Sequence, residues 1–261
     1  MLNMKKVDLN CDMGESFGLY SLGQDEEMMK YITSANIACG YHAGDPHVMR
    51  KTVELAKQYH VAIGAHPGFP DLIGFGRRYM NCTPYEIKDY ITYQMGALRE
   101  FASASGLRLQ HCKPHGALFM MAMEDENLAQ AILESIAEID SNTVVYALNN
   151  SAVAYVGEKL GIPVALEVYS DRQHTKNGSI VLTRKGSQIE DYSQMAQRVV
   201  RMIKDGRVTT ADGEEATVQA DTVCIHGDTP GAAQLAKAIV HALKENDIQI
   251  APVREVLGVR A

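Results

Sequence analysis

The chain has 261 residues, of which 46% are hydrophobic and 22% charged, and its formal net charge is −7. That length supports a sizeable core, and the acidic balance gives no electrostatic reason to expect nucleic acid or an anionic membrane as a partner. No apolar run approaches the roughly 20 residues of a membrane span, the N-terminal MLNMKKVDLNCDMG carries no apolar signal segment, and five scattered cysteines without a Cys-x-x-Cys pair predict reduced thiols in a cytoplasmic protein.

In chain order, residues 7–10 are predicted as a strand, 11–17 as the loop after it, and 25–33 as a helix. Residues 35–39 make a second strand, which runs into GYHAGDPH at 40–47. This stretch reads as a strand-to-helix turn. In the helix behind it Val48, Thr52, Leu55, Ala56 and Tyr59 share one face. Asp45 is placed to cap that helix and Pro46 to be its first residue. Residues 61–65 make a third strand ending in His66-Pro67-Gly68, and a long loop follows with Asp71 and GFGRR at 74–78. Thr83, Pro84 and Glu86 form a capping box for a helix to about Ser105, with Gly106 at its stop.

The fourth strand, 109–113, ends in Pro114-His115-Gly116, and the next helix is predicted over 125–139. Residues 143–148 make the fifth strand, with a short helix to Leu160. Residues 163–168 make the sixth, ending in Ser170-Asp171-Arg172. A hairpin is read within 177–188, a helix over 192–204, and a second hairpin within 208–218 turning at Asp212-Gly213. The seventh strand, 222–225, ends in His226-Gly227-Asp228, and a helix capped by Thr229 starts at Pro230.

Strands alternating with helices call for a parallel sheet with right-handed crossovers. Nearly every strand ends in polar residues and glycine. In a (β/α) barrel such ends converge on one mouth, where active sites sit. The fold class read from this is α/β, a single seven-stranded barrel over 1–261. A doubly wound open sheet is the alternative, but it would focus chemistry at one switch point. Alternation sends Asp8, Asn10 and Asp12 toward the axis, with Gly64 and His66, His111, Lys113 and His115, and Cys224, His226 and Asp228. It leaves Val7, Leu9, Val61, Ile63, Val223 and Ile225 to pack under helices.

The stretches DLNCDMGESFG (8–18), SANIACGYHAGDP (34–46), GAHPGFPDLIGFGRR (64–78), YQMGALREFA (93–102), KPHGALF (113–119), EVYSDR (167–172) and CIHGDTP (224–230) resemble the LamB/YcsF family, the 5-oxoprolinase A subunits. The resemblance spans almost the whole chain. It implies a seven-stranded barrel related to glycoside hydrolases and polysaccharide deacetylases. It also implies ATP-dependent opening of 5-oxoproline to L-glutamate, with ADP and phosphate released, carried out with subunits B and C. The chain departs from the family pattern at Asn149-Asn150 and at His174.

Opening a lactam needs a nucleophile, a group that stabilises an oxyanion and an acid for the leaving nitrogen. No serine or cysteine sits in a nucleophile elbow, which favours activated water. Asp12 and His66 are the candidate bases, His42, His115 or His226 the acid, and Lys113 the partner of an oxyanion or phosphate. Arg172 suits a substrate carboxylate. Asn10, Glu15, Asp45, Arg77, Asp171 and Asp228 complete the binding candidates. No phosphate-binding Gly-x-x-x-x-Gly-Lys-Ser/Thr loop is present. ATP as co-substrate therefore rests on the resemblance, and its seat could lie on a partner protein. No metal ligand is assigned in this reading. Two others compete: a metal-dependent deacetylase-like hydrolase with Asp12, His42 and His66 as ligands, and a non-catalytic substrate-binding subunit. Outside the mouth, His47 and His60 read as helix-surface residues. Asp8 and Asn10 read as satisfying one another, and Cys11, Cys39, Cys112 and Cys224 as packing.

Overall fold

The computed structural model describes residues 4–181 and 191–259. Six parallel strands run around the molecule in chain order: β1 (Lys6–Met13), β2 (Ser34–Ala38), β3 (Ala62–His66), β4 (Leu109–Cys112), β5 (Val144–Leu148) and β6 (Val164–Tyr169). A small antiparallel hairpin, β7 (Arg207–Thr209) and β8 (Glu215–Thr217), stands apart. The seventh barrel strand, β9 (Thr222–Cys224), pairs in parallel with both β6 and β1 and so closes the barrel. A two-residue strand, β10 (Gln249–Ile250), adds to the N-terminal end of β1.

The closure follows from the alternation of side chains. Val7, Leu9, Ile63, Val223 and Ile225 are fully or almost fully buried, and they pack into one apolar core shared with the helices. Those helices are α1 (Asp25–Met28), α2 (Pro46–Tyr59), α3 (Pro84–Ala104), α4 (Gly116–Glu124), α5 (Glu126–Ile139), α6 (Ala152–Leu160), α7 (Tyr192–Asp205), α8 (Ala232–Glu245) and α9 (Val253–Leu257). The Thr83–Glu86 capping box forms, and Asp45 caps α2 through the amides of His47 and Val48. None of the described helices is long and apolar enough to cross a membrane.

The barrel interior is polar. At its floor the Asp8 carboxylate accepts hydroxyl bonds from Thr33, Ser34, Tyr146 and Thr222. One layer up, the Asn10 amide donates to Glu167 and Thr222, and its carbonyl accepts from Asn36. Asp8 and Asn10 thus do not bond each other directly as expected, but are linked through the Thr222 hydroxyl, which accepts from Asn10 and donates to Asp8. Beside them His111 bonds Asn36 and stacks flat on Tyr146 at 4.7 Å. Its ring fills the space a Gly64 side chain would need: a Cβ there would lie 2.2 Å from His111 Cδ2.

Several expectations need correction. Helix α1 ends at Met28 and not near Thr33. Residues 116–124 form α4, which the sequence reading passed over. Helix α8 starts at Ala232 with Gly231 before it, and the Thr229 hydroxyl turns to Asp171 and does not cap the helix. Of the hairpin read within 177–188, residues 182–188 lie outside the described residues. The described part joins His174 to Ile180 in an antiparallel bridge.

Candidate active site

The strand ends meet at one mouth around a cavity of about 330 Å³. Strand β1 and its loop bring Asp12 and Glu15, β3 ends in His66, and the chain leaving β4 brings Lys113 and His115. Tyr169 and Arg172 enter from β6, and His226 and Asp228 from β9.

Lys113 is only 3% exposed, yet it is amply compensated. Its Nζ lies 2.9 Å from Glu167 Oε1, 3.3 Å from Asp12 Oδ1 and 3.2 Å from Cys224 Sγ, and 5.3 Å above the Tyr169 ring. Burial alone would lower its pKa, but Asp12, Cys224 and Glu167 outweigh burial and hold the ammonium charged. For Asp12, burial alone would raise the pKa. The charges on His66 and Lys113 overcome this and keep the carboxyl well below its usual range. Glu15, three residues on, goes the other way. Burial pushes it well above the ordinary value, and Asp12 and Asp228 push it further. One strand end and its loop therefore present two carboxyl groups whose pKa values are pushed in opposite directions, a division that acid–base chemistry exploits.

Backbone carbonyls fix the two central imidazoles. His66 Nδ1 lies 2.6 Å from the Lys113 carbonyl and His115 Nε2 lies 2.8 Å from the Phe75 carbonyl, so each of these nitrogens donates. The nitrogens left over, His66 Nε2 and His115 Nδ1, face each other at 2.9 Å. In two neutral rings both would be lone pairs. The Asp12 carboxylate lies 3.5 Å from the same His66 Nε2. His42 stacks flat on His115 at 3.7 Å, is shut off from solvent, and has no hydrogen-bond partner on either nitrogen among the described residues. Burial holds both His42 and His115 well below the usual histidine range. The loop over these rings comes close only because residue 76 is glycine. At φ +62 a Cβ would sit 2.7 Å from His42 Cβ and 2.9 Å from His115 Cδ2.

On the opposite wall His226 Nδ1 lies 2.9 and 3.0 Å from the two Asp171 oxygens and donates to them. That leaves Nε2 as the nitrogen able to serve the cavity. Burial would raise the Asp171 pKa, but His226 outweighs burial and lowers it. Arg172 lines the cavity beside this pair, and the exposed Arg77 lies 5.0 Å above the Phe75 ring at the rim. The 170–174 segment is held from behind by Arg198, which bonds the carbonyls of Ser170 and Arg172 and, at 2.7 Å, His174 Nδ1.

Of the expected site residues, Asp12, Glu15, His66, Arg77, Lys113, His115, Arg172, His226 and Asp228 line the cavity. Four do not. Asn10 is fully buried beneath it, with its amide committed to Glu167, Thr222 and Asn36. His42 lies behind His115, and Asp171 lies behind His226. Asp45 faces away, with Oδ1 on the α2 amides and Oδ2 on the Gly18 amide. The reading missed Glu167, whose only signal is a glutamate sharing the inward face of β6 with Tyr169. It missed Phe75 and Arg198, for which the sequence offers no signal. Cys224 does more than pack, since it touches Lys113.

Among the described residues, two groups have donor atoms that all lie within 4.8 Å of one another inside the group: Glu15, His42, His66 and His115, and Asp12, Cys224 and His226. In the second, the Lys113 ammonium already sits against Asp12 and Cys224. The ligand set of the deacetylase reading, Asp12 with His42 and His66, is not one of these groups: Asp12 pairs with Lys113, and Glu15 and His115 lie with the two histidines.

The profile of the LamB/YcsF family matches residues 7–258. The 5-oxoprolinase A subunit of Pyrococcus abyssi is 51% identical over 254 residues, covering 97% of this chain and all of the relative. That of Alkaliphilus metalliredigens is 53% identical over 248 residues, covering 95% and 97%. The crystal structure of a lactam utilization protein from Thermus thermophilus superposes with a TM-score of 0.88 at 41% identity, covering 94% of this chain and 99% of that one. The Bc1960 peptidoglycan N-acetylglucosamine deacetylase shares the barrel alone, with a TM-score of 0.53 at 11% identity.

Proposed function

This chain belongs to the LamB/YcsF family, and on that premise we propose that it is the lactam-opening subunit of a 5-oxoprolinase system, with 5-oxoproline as substrate and partner subunits corresponding to B and C. The observation that carries this reading is the pairing of an ionised Asp12 with a charged, buried Lys113 at the edge of the cavity, beside His226, whose ring lies within 4.8 Å of the Asp12 carboxylate and is held by Asp171.

The lactam is an unstrained amide, so its carbonyl resists water until the oxygen is activated. Transfer of the ATP terminal phosphoryl group to that oxygen makes the carbon electrophilic and releases ADP. Asp12 then takes a proton from water as it attacks. Lys113 balances negative charge on the carbonyl or phosphate oxygens. His226, acting as the imidazolium with its Nδ1–H on Asp171, gives its Nε2 proton to the ring nitrogen as the C–N bond breaks, and the proton that Asp12 took from water, less than 4.8 Å away, restores it. A second water releases phosphate, so that 5-oxoproline, ATP and two waters give glutamate, ADP and phosphate. Arg172 and Arg77 hold the substrate carboxylate. We assign the nucleotide to a partner protein; the sequence carries no Gly-x-x-x-x-Gly-Lys-Ser/Thr loop of its own, and the assay below tests the assignment. The reaction belongs to the cytoplasm, in keeping with five free cysteines.

The deciding experiment is a glutamate-formation assay with 5-oxoproline and ATP, run on the chain alone and with candidate partner proteins. ATP-dependent product only with partners present is expected. No product under any combination would remove the lactam reading, and robust product from the chain alone would place the nucleotide site here.

A further inference from the structure

We infer that Glu15, His42, His66 and His115 form a binding site for one divalent transition-metal ion of the zinc type. The site comes from donors the proposed mechanism does not use. His66 and His115 each give their outer N–H to a backbone carbonyl and aim the other nitrogen inward, the arrangement that fixes the tautomer of metal-bound histidine. Glu15 Oε1 and both His42 nitrogens are buried without a hydrogen-bond partner among the described residues, a cost that a cation would relieve.

The spacing fits. Bonds of about 2.1 Å in a tetrahedral site set donors roughly 3.4 Å apart. The separations are 2.9 Å for His66 Nε2 to His115 Nδ1, 3.4 Å for His42 Nε2 to Glu15 Oε1, and 3.8 Å for His115 Nδ1 to Glu15 Oε1. Because His42 and His115 stack at 3° to one another, they do not both point an in-plane lone pair at one position. His115 is pinned by the Phe75 carbonyl. No hydrogen bond pins His42, so His42 is the ring that turns to complete the set. Three imidazoles and one carboxylate suit a borderline ion such as zinc and not calcium or magnesium, which prefer oxygen alone.

The inference stands apart from the lactam reading, because its test needs no substrate. The full chain, freed of metal with a chelator, is titrated with zinc chloride by calorimetry, and cobalt chloride is followed by its visible absorption. One equivalent per chain and the intense bands of tetrahedral cobalt are expected. His66→Ala and His115→Ala should weaken zinc binding roughly 100-fold or more, and Glu15→Gln at least about 10-fold. His47→Ala, on the exposed start of α2, should leave it unchanged. If the histidine variants fail to fold, Glu15→Gln decides, since it keeps the side chain's size. Absence of saturable binding to the wild type overturns the inference, as does wild-type affinity in these folded variants, which would put the ion elsewhere.

Discussion

Glu167 Oε1 lies 2.9 Å from Lys113 Nζ, with the two side chains 0% and 3% exposed. The Asp12 carboxylate reaches the same ammonium at 3.3 Å, so one cation holds two acidic groups inside the barrel. Removing one partner of a buried pair typically costs about 3–5 kcal/mol, because the other charge is left uncompensated. Lys113→Met should therefore lose stability of that order as well as turnover. Adding Glu167→Gln removes the stranded charge while keeping an acceptor for Asn10, and should restore part of the stability but none of the activity. Urea melts check this. A single variant as stable as wild type, or a double no better than the single, contradicts it. The folded-state pKa of Lys113 is raised above its ordinary 10.5. Its contribution is therefore fully present below pH 10.5 and is lost only as the pH rises through the higher folded value.

His226 and Asp171 supply the second prediction. His226→Ala should lower kcat by roughly 10²–10³-fold in the complete system, the usual loss of a positioned acid. Asp171→Asn should lose less, since the imidazole remains but its Nδ1–H is no longer held by a carboxylate. Near-wild-type kcat in His226→Ala would transfer the acid role to another group.

Much of this site was legible because a strand end leaves a local signature. His66, Lys113, His115 and His226 each stand at the end of a short apolar run, and period-two alternation gives their direction. Helix α4 was not legible, because GALFMMAME is apolar all round and shows no helical period, being buried on most sides. Glu167 was overlooked because a lone glutamate in an apolar strand reads as solvent-facing until the barrel closes over it. The Phe75 carbonyl that fixes His115 belongs to a loop some 40 residues away. Backbone acceptors of that kind carry no side-chain identity for the sequence to display.

Gly64 and His111 give the third prediction. With a Cβ at residue 64 only 2.2 Å from the imidazole, Gly64→Ala forces the His111 ring off Asn36 and Tyr146. Overpacking of this kind costs about 1–3 kcal/mol. In a His111→Ala background the clash is gone, so the double variant should be no less stable than His111→Ala alone. Additive losses in thermal melts would contradict the steric account.

Asp45 gives the last. The sequence alone suggests that it both caps α2 and orients His42, and Asp45→Asn would then keep stability and lose activity. The structure separates the two residues. Oδ1 accepts from the amides of His47 and Val48, Oδ2 accepts from Gly18, and neither His42 nitrogen has a hydrogen-bond partner among the described residues. Asparagine caps about as well as aspartate, and its amide nitrogen, a donor, would lose only the bond from the Gly18 N–H, which is exposed and can turn to water. Asp45→Asn should thus keep Tm near wild type and turnover within a few-fold. Asp45→Ala should lose the cap, about 0.5–2 kcal/mol, or roughly 1–8 °C in Tm for a chain of this size. The bonds from Val48, Gly18 and His47 lower the folded pKa of Asp45 below its ordinary 3.8. Its ionised form therefore adds stability that is present above pH 3.8 and is lost as the pH falls through the lower folded value. The Tm difference between wild type and Asp45→Ala should shrink on acidification below pH 3.8 and stay constant between pH 5 and 8. A large loss of turnover in a normally melting Asp45→Asn variant would put this carboxylate back in the site and leave the Gly18 contact secondary.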